Sequence, residues 1–381
     1  MQKTMSLEQI IEQIDNENLM LYLGNGMEMN SNVDKRIALF TNELKRSGAP
    51  SVLFDMSSVL LEMGYSVFLI SEEEGELLED FVENGINVIL YPTMTNDPKW
   101  LVKVAEIFQE VLVNTMVMMH VVDFMAKYAT KVYWWIHEAE IAIANRTSQF
   151  NSYSIRKNVN VEIWAASLLI QENIRDYWMC ESQLLNFYIK DVPAKNLYNR
   201  KKLNIINVGD INGNKGQEIL VSAFEKLEPE VRNRCELYFC GYNQRYNEEI
   251  ILKVLDYIDK RDNVHLLGGK SKEELYEIYD EIDIVVVASY YESTSAVAVE
   301  GMMKSKLCIC TETCGVCKYL KDGESVLTFK RGEPASLANA LTKAVVNYDE
   351  LEHIRKNGRL VYEKNYTKKV FSNRLEELLK K

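Results

Sequence analysis

Residues 283–303 read DIVVVASYYESTSAVAVEGMM. The stretch opens on an uninterrupted apolar run, IVVVA, rich in β-branched residues. Such a run suits a parallel strand covered on both faces, because a half-exposed strand alternates apolar and polar positions. Tyr290-Tyr291-Glu292 then makes a polar loop. A helix is predicted to begin near Ser293, Thr294 and Ser295, where a hydroxyl can accept a first-turn amide. Strand, loop and helix in this order open a parallel crossover, which needs a helix-sized connection to reach the next strand.

The same unit recurs on both sides. Between 203 and 329 the runs LNIINVG (203–209), CELYFCG (235–241), NVHLLGG (263–269), KLCICT (306–311) and SVLTF (325–329) alternate with KGQEILVSAFEKL, KEELYEIYDEI and SLANALTKAVV, which carry helical periodicity. Earlier, RIALFT (36–41), YSVFLI (65–70), INVILY (86–91), EVLVNT (110–115), KVYWWIH (131–137), VEIWAAS (161–167) and LLNFYI (184–189) read as strands of a second set. Ser47-Gly48-Ala49 reads as a loop feeding a helix with Pro50 in its first turn. Hydrophobic density falls at KDVPAKNLYNRKK (190–202), which is the expected linker. The reading is an α/β chain of two doubly wound, Rossmann-like domains, 35–190 and 203–350. Residues 351–381 form charged C-terminal helices, the last a candidate for crossing back to the N-terminal domain. Residues 1–34 stand outside the pattern, as an extension with a helix and a turn at Gly24-Asn25-Gly26. Ligands in such sheets bind beyond the carboxyl ends of the strands, and a cleft between two domains favours a small molecule.

Composition narrows the partners. The chain has 381 residues, 47% of them hydrophobic and 26% charged, which suits two globular cores. A formal net charge of −12 argues against nucleic acid, whose binding needs Lys and Arg to displace phosphate counterions. It also gives no general pull toward an anionic membrane. No apolar run reaches the ~20 residues of a membrane span, and the acidic, amphipathic MQKTMSLEQIIEQIDNEN is no secretory signal, so a cytoplasmic location is expected. Seven cysteines, an odd number in a long chain, read as reduced thiols.

Two constellations carry chemistry. In YESTSAVAVEG, Glu300 sits among apolar neighbours and Gly301. A buried carboxylate there needs hydrogen-bond donors, which ribose hydroxyls would supply. Glu292, in the loop, precedes a helix whose open N–H groups suit a diphosphate. Eight helical steps would separate the two carboxylates by roughly 12 Å. That exceeds the about 5–9.5 Å of hydrolytic acid/base pairs and favours a grip on two ends of one long ligand. A solvated helix Glu with an unrelated loop Glu remains the plainer alternative. The second constellation is NVGDINGNKGQEIL (207–220), where Gly209, a polar loop and Lys215-Gly216 lead from strand to helix in a phosphate-binding layout. The Lys215 ammonium would neutralise a departing diphosphate; a merely solvated lysine is the plain alternative.

Residues 203–345 resemble the donor-binding half of glycosyltransferase family 4, a GT-B fold family. NVGDINGNKGQEILVSAFEKL resembles its strand–loop–KG–helix segment, YESTSAVAVEGMMKSKLCIC its E-x7-E segment, and CGVCKYLKDGESVLTF the loop after it. SGAPSVLFDMSSVLLEMGYSVFLIS and YWWIHE resemble the N-terminal half more loosely. The resemblance implies a retaining, hexosyltransferase-type enzyme that moves a sugar from a nucleoside diphosphate, UDP favoured, to a hydroxyl of a glycan, lipid-linked or protein acceptor, as in polysaccharide biosynthesis. It implies no metal and no cofactor beyond the donor substrate. By the same resemblance Glu300 holds the ribose, Glu292 and His137 lie beside the donor sugar, and Lys215 binds the diphosphate. Gly48 belongs to the glycine loop near phosphates and acceptor, and Gly268 and Gly269 lie where main chain meets the base. One departure stands out: Asp210 occupies a position often held by Arg. Two alternatives stay open, a sugar-nucleotide epimerase of the same fold and a non-catalytic partner of a transferase. A homo-oligomer or peripheral membrane contact also stays open.

Other signals are weaker. His137-Glu138-Ala139-Glu140 lacks a second histidine at zinc spacing. Cys308, Cys310, Cys314 and Cys317 could ligate a metal, yet Cys308 and Cys310 alternate along a strand as buried thiols do. Tyr133-Trp134-Trp135 and Met116, Met118 and Met119 read as core, and Trp100, Trp164 and Trp178 carry no readable role.

Overall fold

The computed structural model describes residues 5–28, 32–138, 140–153, 155–195, 202–241 and 249–380. Ala139 and residues 196–201 of the expected linker lie outside the described residues. The chain divides into two compact units, residues 1–187 with 375–381, and residues 188–374.

The second unit is built on six parallel strands. Their spatial order is Val264–Leu266, Cys235–Cys240, Leu203–Val208, Ile284–Val287, Leu307–Thr311 and Leu327–Phe329. The chain grows outward from Leu203–Val208 in one direction and then returns to its other side. The strand order therefore reverses between Leu203–Val208 and Ile284–Val287, and the loops leaving their carboxyl ends part to open a crevice. Strand residues Ile205, Leu237, Val286 and Ile309 are fully buried, as continuous apolar runs require. Helices Gln217–Glu225 and Pro334–Val346 close one face through Leu220, Phe224 and Leu341.

The first unit repeats the plan with eight strands. In spatial order they are Gln183–Leu184, Val161–Ala165, Lys131–Ile136, Glu110–Asn114, Arg36–Thr41, Ser66–Ser71, Asn87–Leu90 and Met20–Tyr22. Here the reversal lies between Arg36–Thr41 and Glu110–Asn114. The helix Gly48–Glu62 follows the first of these strands and carries Pro50 in its opening turn, as expected. Trp134, Trp164 and Trp178 are fully buried, and Trp134 stacks on Trp178 with ring centres 5.3 Å apart. Tyr133-Trp134-Trp135 is thus core, as are Met116, Met118 and Met119.

Two expectations need correction. Residues 1–34 are not merely an extension: Met20–Tyr22 pairs antiparallel with Asn87–Leu90 and supplies the sheet's edge strand. Helix Leu7–Ile14 buries Leu7, Ile10 and Ile14, and the Ile14 carbonyl accepts the indole N–H of Trp100 at 2.6 Å. LLNFYI (184–189) is a strand only at Gln183–Leu184. Leu185, Phe187, Tyr188 and Ile189 are buried, but the backbone leaves the ladder once Leu185 N has bonded the Ala165 carbonyl at 2.9 Å. The Leu185 carbonyl takes the Trp135 indole and the Ile189 carbonyl the Tyr362 hydroxyl. Continuous apolarity reported burial there and not pairing. Among the described residues no helix is long and apolar enough to cross a membrane.

Candidate functional site

In the second unit, the reversal point brings the two constellations together. Lys215 Nζ lies 2.6 Å from Glu292 Oε1, and Ser289 Oγ donates to the same oxygen at 2.8 Å. Backbone bonds fix the two loops against each other: Tyr290 N donates to the Asn214 carbonyl at 2.8 Å, and Asn214 Nδ2 to the Tyr291 carbonyl at 3.1 Å. The glycines follow from this closeness. Gly216 has φ +66°, and a β-carbon there would overlap the Ala288 carbonyl. Gly209 has φ +141°, and its N–H donates to the Cys240 carbonyl at 2.8 Å. Gln217 turns its amide back to the Asp210 carbonyl at 3.2 Å, tying the loop to the helix it precedes.

The helix after Glu292 runs Ala296–Met303, with Ser295 at its cap. Ser295 Oγ accepts from Ala298 N at 3.3 Å, and Ser295 holds φ +83° to do so. Helix geometry leaves the Ala296 and Val297 amides without intrahelical acceptors, so an anion would meet those donors at the reversal point. Thr294 and Ser293 serve the turn differently: the Thr294 carbonyl accepts from Val316 N at 3.1 Å, and Gly315 approaches the Ser293 carbonyl so closely that a β-carbon would overlap it.

Glu300 is 7% exposed. Tyr279 donates its hydroxyl to Glu300 Oε2 at 3.1 Å, while Oε1 has no hydrogen-bond partner among the described residues. Burial pushes this carboxyl up to about 7, against the pull of Lys272 and of the Tyr279 hydroxyl. Glu292 and Glu300 thus have separate partners, which suits two binding roles more than one acid/base couple. Gly268 has φ +69°, and its carbonyl accepts from Gly241 N at 3.0 Å. Gly269 follows it beyond the strand Val264–Leu266, on the same carboxyl-end edge.

His137 and Gly48 belong to the first unit, at its own reversal point. His137 Nε2 lies 2.9 Å from Asn114 Oδ1, and Asn114 Nδ2 donates to the Ala49 carbonyl at 3.3 Å in the turn that Gly48 opens. Glu138 accepts from His137 N at 3.0 Å and from Met116 N at 2.7 Å, and burial pushes its carboxyl up. The surrounding protein desolvates the His137 imidazole and pushes it down to about 3.

Sequence reading missed Tyr279, Ser289, Asn114 and the clamping part of Glu138. Asn114 carried a signal, being a polar residue that ends an apolar run, whereas Tyr279 in a helical pattern looks like any core aromatic. The four cysteines pack close together, with a side-chain hydrogen bond between Cys310 and Cys317. Cys308, Cys310 and Cys314 are buried, Cys314 Sγ donates to the Thr294 carbonyl at 3.2 Å, and burial pushes the Cys308 thiol up to about 12. Among the described residues no group of three His, Cys, Asp or Glu is placed to hold a metal ion.

Two family descriptions match the chain, "Glycosyl-transferase family 4" over residues 33–180 and "Glycosyl transferases group 1" over 189–361. The lipopolysaccharide 1,2-N-acetylglucosaminetransferase of Salmonella typhimurium is 28% identical over 204 residues, covering 49% of this chain and 52% of that protein. A D-inositol 3-phosphate glycosyltransferase of Corynebacterium jeikeium is 30% identical over 146 residues, 37% of this chain and 35% of that protein. The matches therefore span about half or less of these curated relatives. Among solved structures, HepE of Anabaena in complex with UDP and glucose superimposes with a TM-score of 0.77 at 14% identity, over 91% of this chain and 100% of that one. Sucrose-phosphate synthase of Thermosynechococcus elongatus gives 0.71 at 16% identity, over 91% and 98%. At these identities the structural likeness is one of fold.

Proposed function

The chain belongs to glycosyltransferase family 4, with the paired Rossmann-like units of the GT-B fold, and from that premise we propose that it is a retaining transferase moving a sugar from a nucleoside diphosphate, UDP favoured, to a hydroxyl of a glycan, lipid-linked or protein acceptor. The observation that carries this reading is the Lys215–Glu292 pair at the reversal point, 2.6 Å apart and set beside the N-terminus of helix Ala296–Met303. A sugar diphosphate there meets an ammonium and the Ala296 and Val297 amides on its phosphates. These donors stabilise the charge that grows on the diphosphate as the sugar–phosphate bond breaks, which is where an enzyme gains most from fixed dipoles. Glu292 holds Lys215 in place before the donor arrives and then faces the sugar. Glu300 offers Oε1 to the ribose hydroxyls while Tyr279 keeps Oε2. By the family resemblance His137 is assigned to the donor sugar and the Gly48 turn to the phosphates and the acceptor. Gly268 and Gly269 bring main chain to the base. No metal takes part.

A thermal-shift panel of UDP-, GDP- and dTDP-sugars tests the donor, followed by NMR of the transferred product's anomeric configuration. UDP-sugars are expected to stabilise the protein most, and a product of inverted configuration would sink the retaining mechanism. Asp210, in place of an expected Arg, favours a second reading, a non-catalytic partner of another transferase. Calorimetry separates the two, since binding of no nucleotide sugar at all would favour the partner role.

A further inference from the structure

In the first unit His137 is held on its ring and on its backbone. Asn114 Nδ2 donates to the Ala49 carbonyl at 3.3 Å, and that contact sets which way round the amide sits, because a carbonyl oxygen can only accept. Oδ1 is then the atom that faces His137 Nε2 at 2.9 Å, and it too can only accept. Nε2 must therefore carry the ring proton. The backbone is fixed as well: Glu138 takes the His137 N–H at 3.0 Å with one oxygen and Met116 N at 2.7 Å with the other, bridging the loops that follow strands Glu110–Asn114 and Lys131–Ile136. The Trp135 ring meets the imidazole edge-on with centres 4.3 Å apart. Of the two ring nitrogens Nε2 has this partner, and Nδ1 has no hydrogen-bond partner among the described residues.

We propose that Asn114 is a positioning residue that locks His137 as the Nε2–H tautomer, so that the Nδ1 lone pair accepts a hydrogen bond from a hydroxyl of the bound sugar. The ligand half rests on the reading of the chain as a sugar transferase; the tautomer half rests on the hydrogen bonds alone. The ring acts here as an acceptor and gives up no proton, and desolvation, which disfavours the imidazolium, agrees with that. Glu138 is a second positioning residue, acting on the His137 backbone. A histidine set in this way distinguishes a hydroxyl, which donates, from an ether or ester oxygen, which cannot.

Full-length protein carrying ¹⁵N-histidine tests this at neutral pH. The chain has four histidines, and His137→Gln identifies its own signals by their loss. A protonated Nε2 with a bare Nδ1 is expected for the wild type, and Asn114→Leu should release the ring into a mixture of tautomers. An Nδ1–H ring in the wild type, which needs no variant to fold, would overturn the proposal, as would an Asn114→Leu spectrum identical to the parent. Kinetics supply the ligand half. With an active wild type, Asn114→Leu should lower kcat/KM for the sugar donor about tenfold, by roughly the loss of one well-placed hydrogen bond. Unchanged kcat/KM would overturn the positioning role. A correct tautomer in a protein that transfers no sugar from any donor would sink the transferase reading instead.

Discussion

Tyr279 donates a hydrogen bond from its hydroxyl to one oxygen of Glu300, 3.1 Å away, and among the described residues no ion pair reaches that carboxyl. Burial makes this carboxyl keep its proton longer than usual, and its pKa rises to about 7 although Lys272 and the Tyr279 hydroxyl pull the other way. The folded state thus binds a proton that the unfolded chain has released, between the ordinary carboxylate range near 4.5 and about 7. Stability from this group is complete below that window and is lost as pH rises through about 7. Glu300→Gln, which keeps an acceptor for Tyr279 and cannot ionise, should overtake the wild type in denaturant resistance by roughly 3 kcal/mol above pH 7. The two should converge near pH 5. A stability gap that does not change with pH would show that Glu300 does not titrate in this window.

Nucleotide binding should run the other way. An ionised Glu300 is the better acceptor for two ribose hydroxyls, so affinity for UDP is expected to rise as pH rises through about 7. Calorimetry at pH 5.5 and pH 8 measures it, and Glu300→Gln should flatten the dependence while weakening binding at the higher pH. A wild-type affinity that falls over this range would place the nucleotide elsewhere.

Lys215→Ala removes the ammonium that Glu292, itself bonded by the Ser289 hydroxyl, holds at the crevice. Because the pair is partly exposed, its contribution to stability is small, about 0.5–1 kcal/mol. Its effect on transfer should be much larger, about 10²–10³-fold in kcat, as for other fixed groups that meet developing charge. Steady-state kinetics beside a melting curve distinguish the two. A large loss of melting temperature with kcat unchanged would make Lys215 structural.

The sequence carried most of this architecture because parallel strands buried on both faces leave continuous apolar runs. DIVVVAS, CELYFCG and KVYWWIH each became a strand within a residue or two of the expected bounds. It failed where burial and pairing part company, as at Leu185–Ile189, and where a short edge strand such as Met20–Tyr22 has too few residues to show a period. Lys215, Glu292 and Glu300 stood out as candidates because each follows the carboxyl end of an apolar run, where open sheets take their ligands. Tyr279 was not, since its partner lies 21 positions away and only the fold brings the hydroxyl to the carboxylate.

Gly216 was singled out for a phosphate loop, and the structure adds a steric reason. Its φ of +66° is left-handed, and any β-carbon would overlap the Ala288 carbonyl at the end of the neighbouring strand. Gly216→Ala must push the Lys215 loop away from the strand Ile284–Val287, at a cost of about 2–4 kcal/mol from strain and lost loop contacts. Chemical denaturation gives the stability change, and donor affinity should fall with it because Lys215 moves. A variant with wild-type stability would mean that the loop does not approach Ala288 this closely.

Lys304 and Asp280 form the most deeply buried ion pair among the described residues, 2.9 Å apart with side chains 1% and 6% exposed. Asp280 also accepts the backbone N–H of Lys195 at 3.0 Å, so the carboxylate anchors the segment that follows Ile189 to the second unit's sheet. Removing the ammonium alone takes a countercharge from a buried carboxylate, and Lys304→Met should cost about 3–5 kcal/mol. Replacing both, Asp280→Leu with Lys304→Met, removes the buried charge as well, while giving up the hydrogen bond from Lys195 N, about 1 kcal/mol. The double variant is therefore expected to be more stable than the single Lys304→Met variant, which urea midpoints of the four proteins in the cycle would measure. Strictly additive losses would mean that the two groups do not interact in the folded chain.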